Sequence, residues 1–129
     1  MNSFYGALLV GAGGFLGSIS RFAVSGLVQH RLDPMGSFPY GTMAVNVLGS
    51  ATIGYLAGAT DARALFGVEW RLFLLVGVLG GFTTFSTFSY ETIALFRGGQ
   101  FGFALSNVGL TIALCLVGVW LGYELGYRR

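Results

Sequence analysis

The chain has 129 residues, of which 54% are hydrophobic and only 9% are charged, and its mean hydropathy is +0.74. This composition lies far from that of a soluble globular domain and excludes an ordinary aqueous enzyme. The net charge of +2 comes from scattered arginines without any lysine, which argues against nucleic-acid binding. Because one crossing takes roughly 20 apolar residues, we expect residues 1–129 to form a single four-span transmembrane domain.

The gaps between charged or turn-forming clusters predict where these spans lie. The expected spans run from Phe4 to Leu27, Gly41 to Ala59, Leu72 to Phe96 and Phe101 to Gly126. All three connections between them are short enough for helical hairpins. The predicted fold class is therefore an all-α membrane protein with four transmembrane helices.

Glycines recur at intervals of four residues along these spans. The pairs are Gly13 and Gly17, Gly54 and Gly58, Gly77 and Gly81, and Gly118 and Gly122. Small residues at this spacing allow helix backbones to approach closely. Because so small a unit has little interior left for an aqueous path, we also expect it to associate with a second copy.

Three polar residues fall inside or near the predicted spans. Arg21 stands close enough to a span end to reach the interface or a carboxylate, so a structural or vestibule role is favoured over direct binding. Asn46 places an amide at membrane depth, where it either joins helices by hydrogen bonds or lines a path. Glu91 is either a partner for such an arginine or a proton-coupling carboxylate.

The third span contains the run Gly80-Gly81-Phe82-Thr83-Thr84-Phe85-Ser86-Thr87-Phe88. A glycine pair followed by two threonines lowers helix propensity, so we predict that this span is a broken helix. Hydroxyls can cap the restarted helix, and freed carbonyls can bind Na⁺. Phenylalanines at this spacing are often core or lipid contacts, but their positive ring edges also suit an anion path.

The chain offers little for catalysis. With one histidine, His30, and one cysteine, Cys115, no zinc-type ligand set can be assembled, and no nucleophile and base pair is visible. We therefore do not expect an enzyme.

The arginines are almost evenly divided between the two sides of a four-span topology. One side has Arg63, Arg71, Arg128 and Arg129, and the other has Arg21, Arg31 and Arg97. Lys and Arg near the span ends set the orientation of a membrane protein. This near tie is equally compatible with copies that insert in both orientations and with one weakly preferred orientation.

Three motifs together closely resemble one known family. They are the run from Gly80 to Phe88, the run from Gly41 to Asn46, and the opening from Gly13 to Arg21, and they resemble the Fluc-type (CrcB-like) fluoride channels of bacteria. The resemblance covers essentially the whole chain. It implies an antiparallel, dual-topology homodimer in the bacterial inner (plasma) membrane. Such a dimer has two fluoride pathways and exports toxic cytoplasmic fluoride passively.

The resemblance also implies roles for individual residues. Phe85 and Phe88 match the rings whose edges contact fluoride, and Asn46 matches the pore amide. Ser86 and Thr87 fall on the stretch that carries hydroxyls along the fluoride pathway.

A structural Na⁺ at the dimer axis is implied as well. Gly80 and Thr83 match the positions whose backbone carbonyls hold it, two per subunit. Arg21 and Thr42 match vestibule or architectural positions. In the fourth span many relatives carry a tyrosine and a following serine, whereas this chain has the run from Ser106 to Thr111.

Two other functions are consistent with four short spans. One is a small dual-topology proton-coupled exporter that uses Glu91, and fluoride flux retained in Glu91→Gln would count against it. The other is a non-transporting subunit of a larger membrane complex, which would pass no ion in liposomes.

Overall fold

The computed structural model describes residues 3–63 and 66–129, and every regular element in those ranges is helical. In chain order the elements are α1 (Ser3–Leu32), α2 (Tyr40–Arg63), α3 (Val68–Arg71), a π-helix (Leu72–Leu79), α4 (Gly80–Phe82), α5 (Phe85–Arg97) and α6 (Phe101–Arg128). The elements from α3 to α5 follow one another as a single interrupted rod. The all-α prediction is confirmed, and α1 continues past the predicted end at Leu27.

Three of these four helical units are long and apolar enough to cross a membrane. Within the described ranges they are Ser3–Leu32, Val68–Arg97 and Phe101–Arg128. Helix α2 has 24 residues, which is a sufficient length, but its glycine, serine, threonine and asparagine residues make it more polar. The predicted span Gly41 to Ala59 is therefore helical, but it is more polar than a helix that faces lipid. Helix α2 packs mainly against the other helices.

Helices α2 and α6 form the most extensive contact, and glycines allow it. A β-carbon on any of four glycines would overlap a backbone carbonyl of the facing helix. The pairs are Gly54 with Val119, Gly58 with Tyr123, Gly122 with Ala51, and Gly126 with Tyr55. The predicted role of small residues spaced four apart is confirmed here, since only glycine permits this separation.

We expect Gly54→Ala to destabilise the protein by about 1–3 kcal/mol, because the added methyl group forces α2 away from α6. The matched control is Gly11→Ala in α1, where a β-carbon meets nothing within 4 Å. Thermal unfolding in detergent measures both variants. A Gly54→Ala protein as stable as Gly11→Ala would contradict the close packing.

The predicted break in the third span is present within the run from Gly80 to Phe88, and it lies at the two threonines. Gly80 and Gly81 are helical, whereas Thr83 (φ −88°, ψ 158°) and Thr84 (φ −154°, ψ 115°) are extended. Gly81 instead allows close packing, because a β-carbon there would press on the backbone of Gly14 in α1. The break also separates Phe82 from the other two phenylalanines, so the three rings do not share one helix face.

Candidate functional site

The extended segment at Thr83 and Thr84 is held by an amide from another helix. Asn46 of α2 is buried, and its Nδ2 donates to the Thr84 carbonyl at 3.0 Å. The Thr84 amide donates back to Asn46 Oδ1 at 2.8 Å. Asn46 thus replaces the helical partner that the Thr84 amide lacks and adds a second donor to the Thr84 carbonyl, which is also the N-cap carbonyl of α5.

The break changes the partners of two backbone carbonyls. In a continuous α-helix the Thr84 amide would bond the Gly80 carbonyl, but here it donates to Asn46. In the same way, the Thr87 amide donates to Thr84 Oγ1 at 3.2 Å instead of to the Thr83 carbonyl. The Thr83 carbonyl accepts a bond from Arg21 Nη1 at 3.3 Å. The sequence analysis assigned Na⁺ to the carbonyls of Gly80 and Thr83. These are the two carbonyls whose usual helical donors, the amides of Thr84 and Thr87, bond other acceptors.

Two cavities meet at this break, and Thr84 is the one described residue that lines both. The first, of about 400 Å³, we call the phenylalanine groove; its lining includes Asn46, Gly80, Thr83, Phe85, Phe88 and Thr111. The second, of about 720 Å³, we call the arginine vestibule; its lining includes Arg21, Thr42, Thr87, Tyr90 and Glu91. The extended dipeptide therefore borders the groove at both residues and the vestibule at Thr84.

The positive charge in the arginine vestibule, on Arg21, is hydrogen-bonded to a backbone carbonyl and not to a carboxylate. Arg21 donates to the Thr83 carbonyl, and the ion pair that the described residues form lies far away at the C-terminal end of α6, between Arg128 and Glu124. Glu91 accepts a hydrogen bond from Thr42 Oγ1 at 2.7 Å, while its Oε2 is buried without a hydrogen-bond partner among the described residues. Of the two alternatives for Glu91, pairing with Arg21 is not seen among the described residues, because each side chain bonds an uncharged partner.

Phe85 and Phe88 form a pair of rings at the start of α5, with centroids 5.4 Å apart and planes inclined at 45°. Phe88 is buried, whereas Phe85 is 75% exposed beside the groove. The hydroxyls of the same turn are clustered. Thr84 Oγ1 donates to Thr87 Oγ1 at 3.0 Å and lies 3.3 Å from Ser86 Oγ.

A second network of polar side chains is bonded to the backbone carbonyl of Phe88. Asn107 of α6 is 1% exposed, and its Nδ2 donates to Thr92 Oγ1 at 2.9 Å. Thr92 Oγ1 donates in turn to the Phe88 carbonyl at 2.7 Å. Thr111 Oγ1 donates to Asn107 Oδ1 at 3.2 Å, and Thr111 also lines the phenylalanine groove. The run from Ser106 to Thr111 thus supplies a buried chain of hydrogen bonds.

Comparison with known proteins identifies the family of this chain. The family model described as CrcB-like protein, Camphor Resistance (CrcB), matches residues 8–123. The chain belongs to the CrcB-like family. It is 53% identical to the fluoride-specific ion channel FluC of Elusimicrobium minutum, an alignment that covers 90% of this chain and 89% of that protein. It is also 50% identical to the FluC proteins of Opitutus terrae (90% and 88% covered) and Thermus thermophilus (92% and 93% covered).

The family assignment confirms the resemblance drawn from the three motifs. The CrcB-like relatives carry the name of a channel and not of an enzyme, and the apolar helices identify a multi-pass membrane protein. The structure brings the predicted site residues together around the break. Asn46, Gly80, Thr83, Phe85 and Phe88 line the groove, Arg21, Thr42 and Thr87 line the vestibule, and Ser86 touches Thr84 between them.

Two features of this CrcB-like site were missed from sequence. The bond between Thr42 and Glu91 joins residues 49 positions apart, and neither residue type alone indicates the other. The network around Asn107 includes Thr92, which lies on an otherwise ordinary helical turn. A polar residue in each of two apolar spans is the signal that could have paired them, because such groups seek partners in a membrane.

Proposed function

We propose that this protein is a fluoride-specific ion channel that lets cytoplasmic fluoride leave a bacterial cell passively across its inner membrane. The names of its CrcB-like relatives support the choice of ion. The observation that carries the proposal is the extended Thr83–Thr84 segment, which stands between two cavities in an otherwise helical rod. Non-helical backbone at membrane depth is tolerated only where protein or a water-filled cavity surrounds it.

The residues along this route suit a small anion. Arg21 does not pair with Glu91, the carboxyl group that lines the same vestibule, so its guanidinium stays available to attract anions there. Beyond it, the hydroxyls of Ser86 and Thr87 can donate, since the Thr84 hydroxyl already donates to Thr87 Oγ1, and ring edges at Phe85 and Phe88 carry positive density. Each of these donors binds weakly, which conduction requires, because an ion must leave every site that it enters.

A second, antiparallel copy would complete the site. Phe85 is 75% exposed and Gly80 is exposed, although both line the groove in which we place the ion. A side chain that lines an ion pathway must be shielded from lipid. A second copy related by a two-fold axis would cover the groove with its own equivalent surface. The nearly equal distribution of arginines is compatible with copies of both orientations, so we propose a dual-topology homodimer.

The residues at the break also fit a structural Na⁺. The fit rests on the Gly80 and Thr83 carbonyls, whose helical amides donate to Asn46 and to Thr84 Oγ1 instead. The Thr83 carbonyl also accepts from Arg21 Nη1, so it would bind the ion through its second lone pair. Carbonyl oxygens freed at a broken helix are hard ligands suited to Na⁺. Two carbonyls per chain leave a cation under-coordinated, so the proposed ion would tie two copies together. It would supply fixed positive charge and rigidity at their contact.

Fluoride efflux from liposomes tests the proposed function. The purified full chain is reconstituted in liposomes loaded with fluoride or, as the control, with chloride, and ion-selective electrodes record the release. We expect release of fluoride and retention of chloride. Equal release of the two halides, or no release of either, would overturn the proposal.

Removal of Na⁺ tests the structural cation. We expect exhaustive replacement of Na⁺ by a large organic cation to lower the thermal unfolding temperature in detergent and to weaken the dimer, because the carbonyls then repel one another. Size-exclusion chromatography with light scattering follows the dimer. An unfolding temperature and a dimer that are both independent of Na⁺ would contradict this cation site, while leaving the fluoride function standing.

A further inference from the structure

Helix α2 contacts the extended segment at two points on one face. Asn46 Oδ1 accepts a hydrogen bond from the Thr84 amide at 2.8 Å. Gly49, three residues further along α2, is buried against the side chain of Thr83. Residues three apart lie on the same side of a helix. Asn46 and Gly49 therefore hold two neighbouring residues of the segment.

Both contacts act on one peptide group. The Thr83 carbonyl and the Thr84 amide belong to the same trans peptide unit, in which C=O and N–H point in opposite directions. Because the Thr84 N–H points at Asn46, the Thr83 carbonyl points away from it, and its oxygen lies 3.3 Å from Arg21 Nη1. The position of the Thr83 backbone thus decides where one of the two proposed Na⁺ ligands lies.

The Thr83 side chain is held in one rotamer. Its Oγ1 donates to the Leu79 carbonyl at 3.0 Å, and this bond leaves the methyl group, Cγ2, directed at Gly49. A β-carbon on Gly49 would overlap Cγ2, whereas the nearest atom of Phe82, Cδ1, would be 3.4 Å away. The missing side chain of Gly49 is therefore the space that the Thr83 methyl group occupies.

Rotation of the Thr83 side chain cannot free this space. The β-carbon of threonine carries a hydroxyl, a methyl group and a hydrogen in a fixed chiral order, and it has three staggered positions. One rotation brings Oγ1 to Gly49, which replaces one heavy atom by another. The other rotation brings the hydrogen there, but it puts the methyl group where the hydroxyl now bonds the Leu79 carbonyl. A side chain at position 49 therefore displaces the Thr83 backbone.

We propose that Gly49 is a positioning residue for the structural Na⁺, because its missing side chain accommodates the Thr83 methyl group and so places the Thr83 carbonyl. This inference rests on the cation site of the proposed function. Asn46 sets the direction of the peptide group, and Gly49 sets its distance from α2. Helix α2 in this way shapes the cation site without providing a ligand of its own.

Gly49→Ala is expected to weaken Na⁺ binding about tenfold, in the range found when a group that orients a metal ligand is disturbed. The measurement is the thermal unfolding temperature of the purified full chain in detergent, recorded while Na⁺ replaces a large organic cation. The unfolding temperature begins to rise near the dissociation constant of the ion. This onset should therefore move to an about tenfold higher Na⁺ concentration in the variant.

The matched control is Gly54→Ala, the same chemical change in the same helix. A β-carbon on Gly54 overlaps the Val119 carbonyl of α6, and Gly54 does not line the phenylalanine groove. We expect this control to lower the unfolding temperature at every Na⁺ concentration without moving the onset. Loss of packing alone would make Gly49→Ala behave in the same way.

A second substitution tests the match between Gly49 and the methyl group. Thr83→Ser keeps the hydroxyl that bonds Leu79 and removes only the methyl group, which leaves room for a β-carbon at position 49. Gly49→Ala is therefore made both in the wild-type chain and in the Thr83→Ser background, as a double-mutant cycle. In the Thr83→Ser background we expect Gly49→Ala to leave the onset where Thr83→Ser alone has it.

The outcomes separate this inference from the proposed cation site. A shift of the onset by Gly49→Ala in the wild-type chain, but not in the Thr83→Ser background, supports it. It is overturned alone if the wild type responds to Na⁺ and Gly49→Ala has the wild-type onset, or if the onset moves equally in both backgrounds. If Gly49→Ala does not fold, the double variant decides, because a folded double variant with the Thr83→Ser onset supports the match and an unfolded one contradicts it. A wild type whose unfolding temperature does not depend on Na⁺ overturns the cation site and this inference together, and fluoride efflux still tests the channel.

Discussion

Replacing Phe88 with isoleucine is expected to reduce fluoride efflux from liposomes by roughly tenfold or more, because the aliphatic side chain fills similar space without a positive edge. Phe85→Ile is expected to act in the same direction. Phe88 is buried and Phe85 is 75% exposed in the single chain, so the Phe88 substitution should lower the unfolding temperature more than the Phe85 substitution does. Efflux rates are therefore compared at equal amounts of folded, reconstituted protein.

The chain contains a second aromatic pair that serves as a control. Phe96 and Phe101 have ring centroids 4.9 Å apart, and neither lines the groove or the vestibule. Phe96→Ile removes a ring edge of the same kind, and we expect wild-type efflux from it. Wild-type efflux in both Phe85→Ile and Phe88→Ile would show that the ring edges are not part of the fluoride pathway.

Replacing Asn46 with aspartate is the second large expected effect. The carboxylate can still accept from the Thr84 amide, but it cannot donate to the Thr84 carbonyl. Its second oxygen would take the place of Nδ2, which lies 3.0 Å from that carbonyl, and the two oxygens would repel each other. We expect fluoride efflux to fall roughly a hundredfold, since a buried group loses its donor and the new charge repels the anion. The unfolding temperature should fall as well.

Acid should partly reverse the loss of stability. Once protonated, the carboxyl group introduced by Asn46→Asp regains an O–H that can donate to the Thr84 carbonyl. The unfolding temperature of this variant should therefore rise relative to wild type as the pH is lowered toward the ordinary range of aspartic acid, about 4. Asn46→Leu is the control, because it loses both bonds and has nothing to protonate. The same pH response in both variants would contradict the role given to the Asn46 amide.

Several parts of this structure could be predicted from the amino-acid sequence. Periodic apolar segments locate the helices, and glycines four apart indicate which faces meet closely, as at Gly54 and Gly122. The threonines and glycines of the third span indicate a break. These features depend on residues close together in the chain, where spacing and propensity carry the information.

The remaining parts depend on contacts between distant residues. The break lies at Thr83 and Thr84 because Asn46, 38 positions away, bonds both backbone groups of Thr84, and local propensity favours the preceding glycines instead. The π-helix of Leu72–Leu79 has an ordinary apolar sequence, so nothing local marks it. A carboxylate is a natural partner for Arg21 on sequence grounds, but Arg21 donates to a carbonyl that exists as an open acceptor only after the helix breaks.

The close packing of α2 on α6 has a consequence for how the protein is made. Helix α2 is synthesised before α6, and it is more polar than the three candidate spans. The face of α2 that carries Gly54 and Gly58 therefore has no cover until α6 has been made. Cellular insertion machinery must shelter α2 during that interval, and a chain truncated before Phe101 should be a target for membrane proteases.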